Sequence, residues 1–274
     1  MQSIHTTTSQ SDHLIQIQPP KEGGSGRLRF QNRLPDALRE IDVKVGIAPQ
    51  AMGSVLISFG NTQVICAASI ESTVPRWMKE QSVVGGWLTA EYSMLPYSTS
   101  PRKNRDSTRG KIDGRSTEIQ RLIGRSLRAA IDLKALGART LWVDCDVLQA
   151  DGGTRTAAIT GSSIAMALAC QHLVTIGKLS VTPMKKLVAA VSVGVCQSQV
   201  LLDLDYSEDK DAEVDLNLVM NESLEFIEVQ ASGEQNVFSN ESLSTMLDYG
   251  RKGIALLLEK QRSVLKTHSI EKYS

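Results

Sequence analysis

Gly152, Gly153, Thr154, Arg155 and Thr156 run consecutively and combine the groups that hold an anion. They lie between a strand-like segment, 140–147, and an apolar helix-like segment, 157–173. Two glycines let the backbone turn tightly and approach a ligand closely. Two hydroxyls and a guanidinium follow at once, and the N–H groups opening the next helix point the same way. Backbone dipoles, hydroxyls and a fixed positive charge make an anion pocket. The run matches neither Gly-x-x-x-x-Gly-Lys-Ser/Thr nor Gly-x-Gly-x-x-Gly, so it is no nucleotide loop of those kinds. A plain turn followed by a solvated arginine is the competing reading of the same residues.

The remaining candidates are charged and unevenly placed. Between Arg102 and Arg128 nine basic residues face three acidic ones. Between Asp203 and Asp215 seven acidic residues face Lys210 alone. The chain's 30 positive and 30 negative side chains thus cancel without mixing in sequence. Either run alone reads as a solvated surface. The basic run begins in a Pro/Ser/Thr loop, 96–108, where arginines such as Arg102, Arg105 and the adjacent Arg109 suit phosphate backbones. The acidic run lacks EF-hand spacing, so calcium is disfavoured, whereas one or two carboxylates plus substrate oxygens suit Mg²⁺.

Composition removes several classes. The 274 residues are 41% apolar and 22% charged, as in a soluble globular protein. No stretch reads as a continuous membrane span, so no membrane association is expected. Residues 1–26 are polar, lack the segments of a secretion signal, and read as a flexible tail. Cys66, Cys145, Cys170 and Cys196 have no Cys-x-x-Cys spacing and sit in apolar contexts. Buried reduced thiols and a cytoplasmic location are expected. His5, His13, His172 and His268 supply neither a zinc site nor a Ser-His-Asp triad.

The elements that must position these groups follow from periodicity. Segments 54–59 and 62–69 read as strands joined by a Gly60-Asn61 hairpin turn. Segment 87–94 reads as a strand. A helix is expected from Arg115, capped by Ser116 or Thr117, with Ile119, Leu122, Ile123, Leu127 and Ile131 on one face. That start places Arg115 where a ligand anion would sit. In 140–147, Leu141, Val143, Cys145 and Val147 alternate with Trp142, Asp144 and Asp146. Segment 157–173 is apolar nearly all round and should be buried on most faces. Two further hairpins are expected, 187–196 with 200–204 and 212–220 with 224–231. A last helix runs from 240 to about 265. This order points to an α+β domain, layered β-sheets with buried helices, over 27–265, with 266–274 as a C-terminal tail.

Several of these segments together resemble a known family. They are 53–60, 89–96, 114–125, 144–156 and 212–217, and their spacing over 27–265 is similar to that of bacterial ribonuclease PH. The resemblance implies the RNase PH-like fold of the ribosomal protein S5 domain 2-like type. It implies a phosphate-dependent 3′→5′ exoribonuclease, or tRNA nucleotidyltransferase, that trims tRNA 3′ ends and other RNA and releases nucleoside diphosphates. A homohexamer, a trimer of dimers, is the implied assembly. Arg115, Gly153, Thr154 and Arg155 match phosphate ligands, and Asp209 and Asp215 match the metal-binding and catalytic acids. Arg102 and Arg105 match RNA contacts. Mg²⁺ is the implied metal and inorganic phosphate the co-substrate. A non-catalytic RNA-binding ring subunit of the same fold is the alternative. Two positions depart from the pattern: Tyr97 replaces an arginine after Leu95-Pro96, and Gln31-Asn32-Arg33 replaces Asp-Gly-Arg.

Overall fold

The computed structural model of the chain describes Arg29, residues 32–234 and residues 236–268. The expected tail at 1–26, Gln31, and 269–274 lie outside the described residues. The first strand, β1 (Ile41–Val45), turns Ile41, Val43 and Val45 towards the core and leaves Asp42 and Lys44 exposed. It pairs with β2 (Gly53–Phe59), which turns at Gly60 and Asn61 into β3 (Thr62–Glu71). Next come α1 (Arg76–Glu80), β4 (Trp87–Met94), a single 3-10 turn (Pro96–Ser98) and α2 (Asp106–Arg109). Then follow α3 (Gly114–Arg128), α4 (Leu133–Leu136) and β5 (Thr140–Gln149). The first sheet has the order β1-β2-β3-β5-β4. Only β4 and β5 run parallel, and α3 lies in the crossover that such a pair requires.

After β5 the chain enters α5 (Thr154–Thr175), then β6 (Val188–Cys196), β7 (Gln199–Leu202) and α6 (Tyr206–Asp211). It ends with β8 (Val214–Asn221), β9 (Phe226–Gly233) and α7 (Asn240–Thr267). The second sheet is antiparallel throughout, in the order β7-β6-β8-β9. The α+β reading holds, and one continuous core joins both sheets.

Helix α5 is shared by the two sheets. It packs on β2 and β3 of the first and on β6 of the second. Among the described residues it is the one helix long and apolar enough to span a bilayer, yet most of it is buried inside the fold. Its contact with β2 is at backbone distance. A Cβ placed on Gly53 would lie 2.1 Å from the Ala165 carbonyl oxygen. One on Gly161 would lie 2.8 Å from Ile57 Cγ2 and from Cys66 Sγ. On the other side, buried Gln261 of α7 donates to the carbonyls of Thr160 and Val188, both at 2.8 Å.

Some expectations need correction. Helix α3 begins one residue early, at Gly114, with Asp113 in the N-cap position. Ser116 faces the core and Thr117 donates to the Asp113 carbonyl at 3.2 Å, so neither caps it. Helix α7 continues to Thr267, two residues into the segment read as a tail. The four cysteines are free thiols; three are buried, while Cys196 is half-buried.

Candidate active site

The glycine loop is built as left-handed backbone, with φ of 76° at Gly152 and 64° at Gly153. Glycine occupies such angles without a steric penalty. What the loop approaches closely is protein. A Cβ on Gly152 would lie 2.5 Å from the Leu204 carbonyl oxygen, and one on Gly153 would lie 3.0 Å from Arg39 Nη2. The glycines therefore seat the start of α5 against the segment leading into α6. The two hydroxyls separate in role. Thr156 Oγ1 donates back to the Gly153 carbonyl at 2.8 Å and belongs to the loop itself. Thr154 Oγ1 lies 2.8 Å from the buried phenol oxygen of Tyr92, a partner the sequence reading missed.

Arg155 opens α5 and has weak partners. Its Nη1 donates to Gln230 Oε1 at 3.3 Å and lies 3.9 Å from Glu118 Oε1. Gln230 in turn donates to Glu118 at 3.1 Å. Arg115 is the second residue of α3 and is exposed. No carboxylate among the described residues lies within ion-pair distance of it. The charges of both arginines act on two common neighbours. Burial raises the Asp209 carboxyl, and Arg115 and Arg155 pull it back down. Burial raises the Tyr92 phenol, while the bond to Thr154 and the same two arginines oppose it.

Asp209 lies on α6 and Asp215 on β8. Burial pushes the Asp215 carboxyl up to about 6, helped by the charge of Asp209. Arg155 and a 3.0 Å hydrogen bond from Asn217 act the other way. The second oxygen, Oδ1, is buried with no partner among the described residues. Buried polar atoms are rarely left so. A bare carboxylate oxygen beside a second carboxylate fits a hard divalent cation. No cluster of three or more His, Cys, Asp or Glu side chains among the described residues holds a metal unaided. A cation here would draw further oxygens from a bound ligand, as Mg²⁺ commonly does.

The structure thus brings Arg115, Gly153, Thr154, Arg155, Asp209 and Asp215 to one place. The RNA-contact candidates sit beside it. Arg102 and Arg105 are exposed on the loop after β4, and Tyr97 is exposed at its start. Lys103 donates to Asp113 at 3.1 Å, which ties this loop to the start of α3 and so to Arg115. Arg109 ends α2, and its side chain lies outside the described residues.

The acidic run is not the solvated turn that it resembles in sequence. Asp203 is fully buried and paired with Arg39 at 2.7 Å and Arg33 at 3.4 Å. Glu208 pairs with Arg29 at 2.6 Å and Arg33 at 3.2 Å. Asp205 caps α6 in a reciprocal box with Glu208. That box was legible as Asp-x-x-Glu. The arginine partners were not, because they lie 164 to 179 residues away.

Two β-sheets sharing a central helix, with two arginines and two carboxylates beside one loop, have the features of an enzyme suited to phosphate groups. Comparison with known proteins places it more closely. Residues 37–170 match domain 1 of the 3′ exoribonuclease family and residues 186–253 match domain 2. The chain belongs to that family. Ribonuclease PH of Bacillus pumilus (strain SAFR-032) is 52% identical over 238 residues, covering 86% of this chain and 98% of that protein. Ribonuclease PH of Bacillus subtilis (strain 168) is 50% identical over 239 residues, covering 87% and 97%. Among solved structures, the Archaeoglobus fulgidus exosome with RNA bound to its active site matches with a TM-score of 0.72. It covers 85% of this chain and 92% of that one, and at 20% identity it speaks for the fold alone.

Proposed function

We propose that this chain, a phosphate-dependent 3′→5′ exoribonuclease of the ribonuclease PH kind, uses the site just described as its phosphorolytic centre. Arg115 and Arg155 hold inorganic phosphate with their guanidinium forks, and Thr154 and the Gly153 backbone complete the cradle. The bound phosphate attacks the last phosphodiester of an RNA 3′ end. A nucleoside 5′-diphosphate leaves, and the shortened RNA keeps its 3′ oxygen, which takes up a proton. Two anions must meet for this, so the protein's share is mainly positioning and charge compensation. What supports the reading is that exposed Arg115 and weakly partnered Arg155 both lie near enough to the half-buried Asp209 to lower its carboxyl against the effect of burial.

Asp209 and Asp215 would hold Mg²⁺, which when bound supplies charge stabilisation on the scissile phosphate. Burial raises the Asp215 carboxyl to about 6, which suits it to hold or release a proton when no cation is bound. By its likeness to the Bacillus ribonuclease PH proteins, the chain is further proposed to act on tRNA 3′ ends, to assemble as a homohexamer built as a trimer of dimers, and to work in the cytoplasm. A non-catalytic ring subunit would have no need of the Asp209–Asp215 couple facing two arginines.

The test is incubation with RNA in the presence and absence of phosphate. Nucleoside diphosphates that form only with phosphate are expected; monophosphates formed without it would defeat the reading. Arg102→Ala with Arg105→Ala should weaken RNA binding across sequences. The slope of log affinity against log salt should fall by about 1 to 1.5, as two single-strand phosphate contacts require. An unchanged slope in a filter-binding titration would remove that loop from the RNA path.

A further inference from the structure

Arg39 lies just before β1, with its side chain almost wholly buried. Its backbone N–H and its Nε donate to Asp203 Oδ2 at 2.8 and 3.0 Å, and its Nη2 donates to Oδ1 at 2.7 Å. The guanidinium reaches a second segment as well. Nη1 donates to the Asp151 carbonyl at 2.5 Å and Nη2 to the Gly152 carbonyl at 3.4 Å. Thr62 closes the same knot, since its hydroxyl donates to the Gly152 carbonyl at 2.7 Å and accepts from the Asp151 N–H at 3.0 Å.

The two segments so joined carry opposite halves of the site. Asp151 and Gly152 lead directly into Gly153, Thr154 and Arg155. Asp203 leads to Asp205, which caps α6, and α6 carries Asp209. One buried guanidinium therefore spans the base of the anion cradle and the base of the carboxylate couple. We propose that Arg39, assisted by Thr62, is a positioning residue for phosphorolysis, fixing the spacing between the cradle and the couple. The inference rests on the reading in which residues 153–155 hold phosphate.

Spacing matters because the attacking phosphate and the scissile phosphodiester repel each other. A misplacement of about 1 Å can lower the rate by about a hundredfold. Lysine keeps the charge of Arg39 and loses its planar fork, so it cannot bond both segments at once. Thr62→Val changes no charge and releases only the Asp151–Gly152 side.

The experiment compares wild type, Arg39→Lys and Thr62→Val as full chains. It measures phosphate KM, kcat on a short RNA, and the rise in Tm that inorganic phosphate gives without RNA. Thr62→Val should raise phosphate KM about tenfold, keep kcat within about twofold, and shrink the phosphate-induced rise in Tm. Arg39→Lys should raise KM and also lower kcat about a hundredfold, because both segments are freed. A purely structural role would reduce the folded fraction, scaling the rate and leaving KM unmoved; that outcome overturns the proposal. Should Arg39→Lys fail to fold, Thr62→Val decides alone, and a wild-type KM there overturns it. A wild type with no phosphate dependence would sink the cradle reading itself, and the clamp with it.

Discussion

Two groups of arginines flank the loop at 151–155, and they differ in what their forks face. Arg29, Arg33 and Arg39 are almost wholly buried and are matched to the Asp203 and Glu208 carboxylates at 2.6 to 3.4 Å. Arg115 and Arg155 are the unmatched group, with only an amide oxygen at 3.3 Å and a carboxylate at 3.9 Å offered to Arg155. Saturated arginines tie segments of the fold together, Arg39 joining the two that carry the site, whereas the unsaturated ones keep donors that an outside anion could take. The lesson is that clustered positive charge identifies a site only after the internal carboxylates have been assigned.

Substitutions can break this comparison. Arg39→Ala leaves the buried Asp203 carboxylate with Arg33 as its remaining charged partner, at 3.4 Å, and removing one partner of a buried pair typically destabilises by about 3–5 kcal/mol. Urea melts should show that loss, and a change under 1 kcal/mol would place Arg39 in the unsaturated group. Arg155→Ala or Arg115→Ala should instead remove about 3–4 kcal/mol of transition-state stabilisation, a fall of a hundredfold or more in kcat/KM for phosphate. Their melts should stay within about 1 kcal/mol of wild type. Normal phosphate dependence in either variant would dissolve the distinction.

Asp215→Asn sharpens it from the acidic side. The folded carboxyl titrates at about 6, above its ordinary value. The native state therefore binds the proton more tightly than the unfolded chain does. This stabilises the protein below the unfolded pKa, and the stabilisation is lost as pH rises through about 6. In metal-free buffer the asparagine variant should gain about 2 kcal/mol over wild type at pH 8, less at pH 5, while losing activity. Equal stability across that range would mean that the carboxylate is not strained by burial. The smallest effect belongs to Arg125, which makes an exposed fork with Glu228 at 2.6 and 2.7 Å. Arg125→Ala should shift stability by less than about 1 kcal/mol.

The sequence was most legible where periodicity is local. The Gly60-Asn61 turn, the alternation in β5 and the all-round apolar α5 stand in the structure as read. β1 carried the same signal in Ile41, Val43 and Val45 and was overlooked. α6 also went unread, although its capping residues lie three apart. The arginine and aspartate candidates were legible through resemblance, and their convergence is visible only in the fold. Asp203 was misread for a physical reason. A buried ion pair has no sequence signature when its partners belong to distant elements, so a fully buried carboxylate looks like one more acid in a solvated run. The Tyr92–Thr154 contact was hidden in the same way, with 62 residues between the partners.

The glycine contacts at Gly53 and Gly161 have a consequence for how this enzyme can diversify. A helix riveted to a strand at main-chain distance has no slack to tilt, and Arg155 is mounted at its tip. Changes in substrate preference are therefore expected in the exposed loop that carries Tyr97, Arg102 and Arg105, since the beam that aims the guanidinium is closed to adjustment.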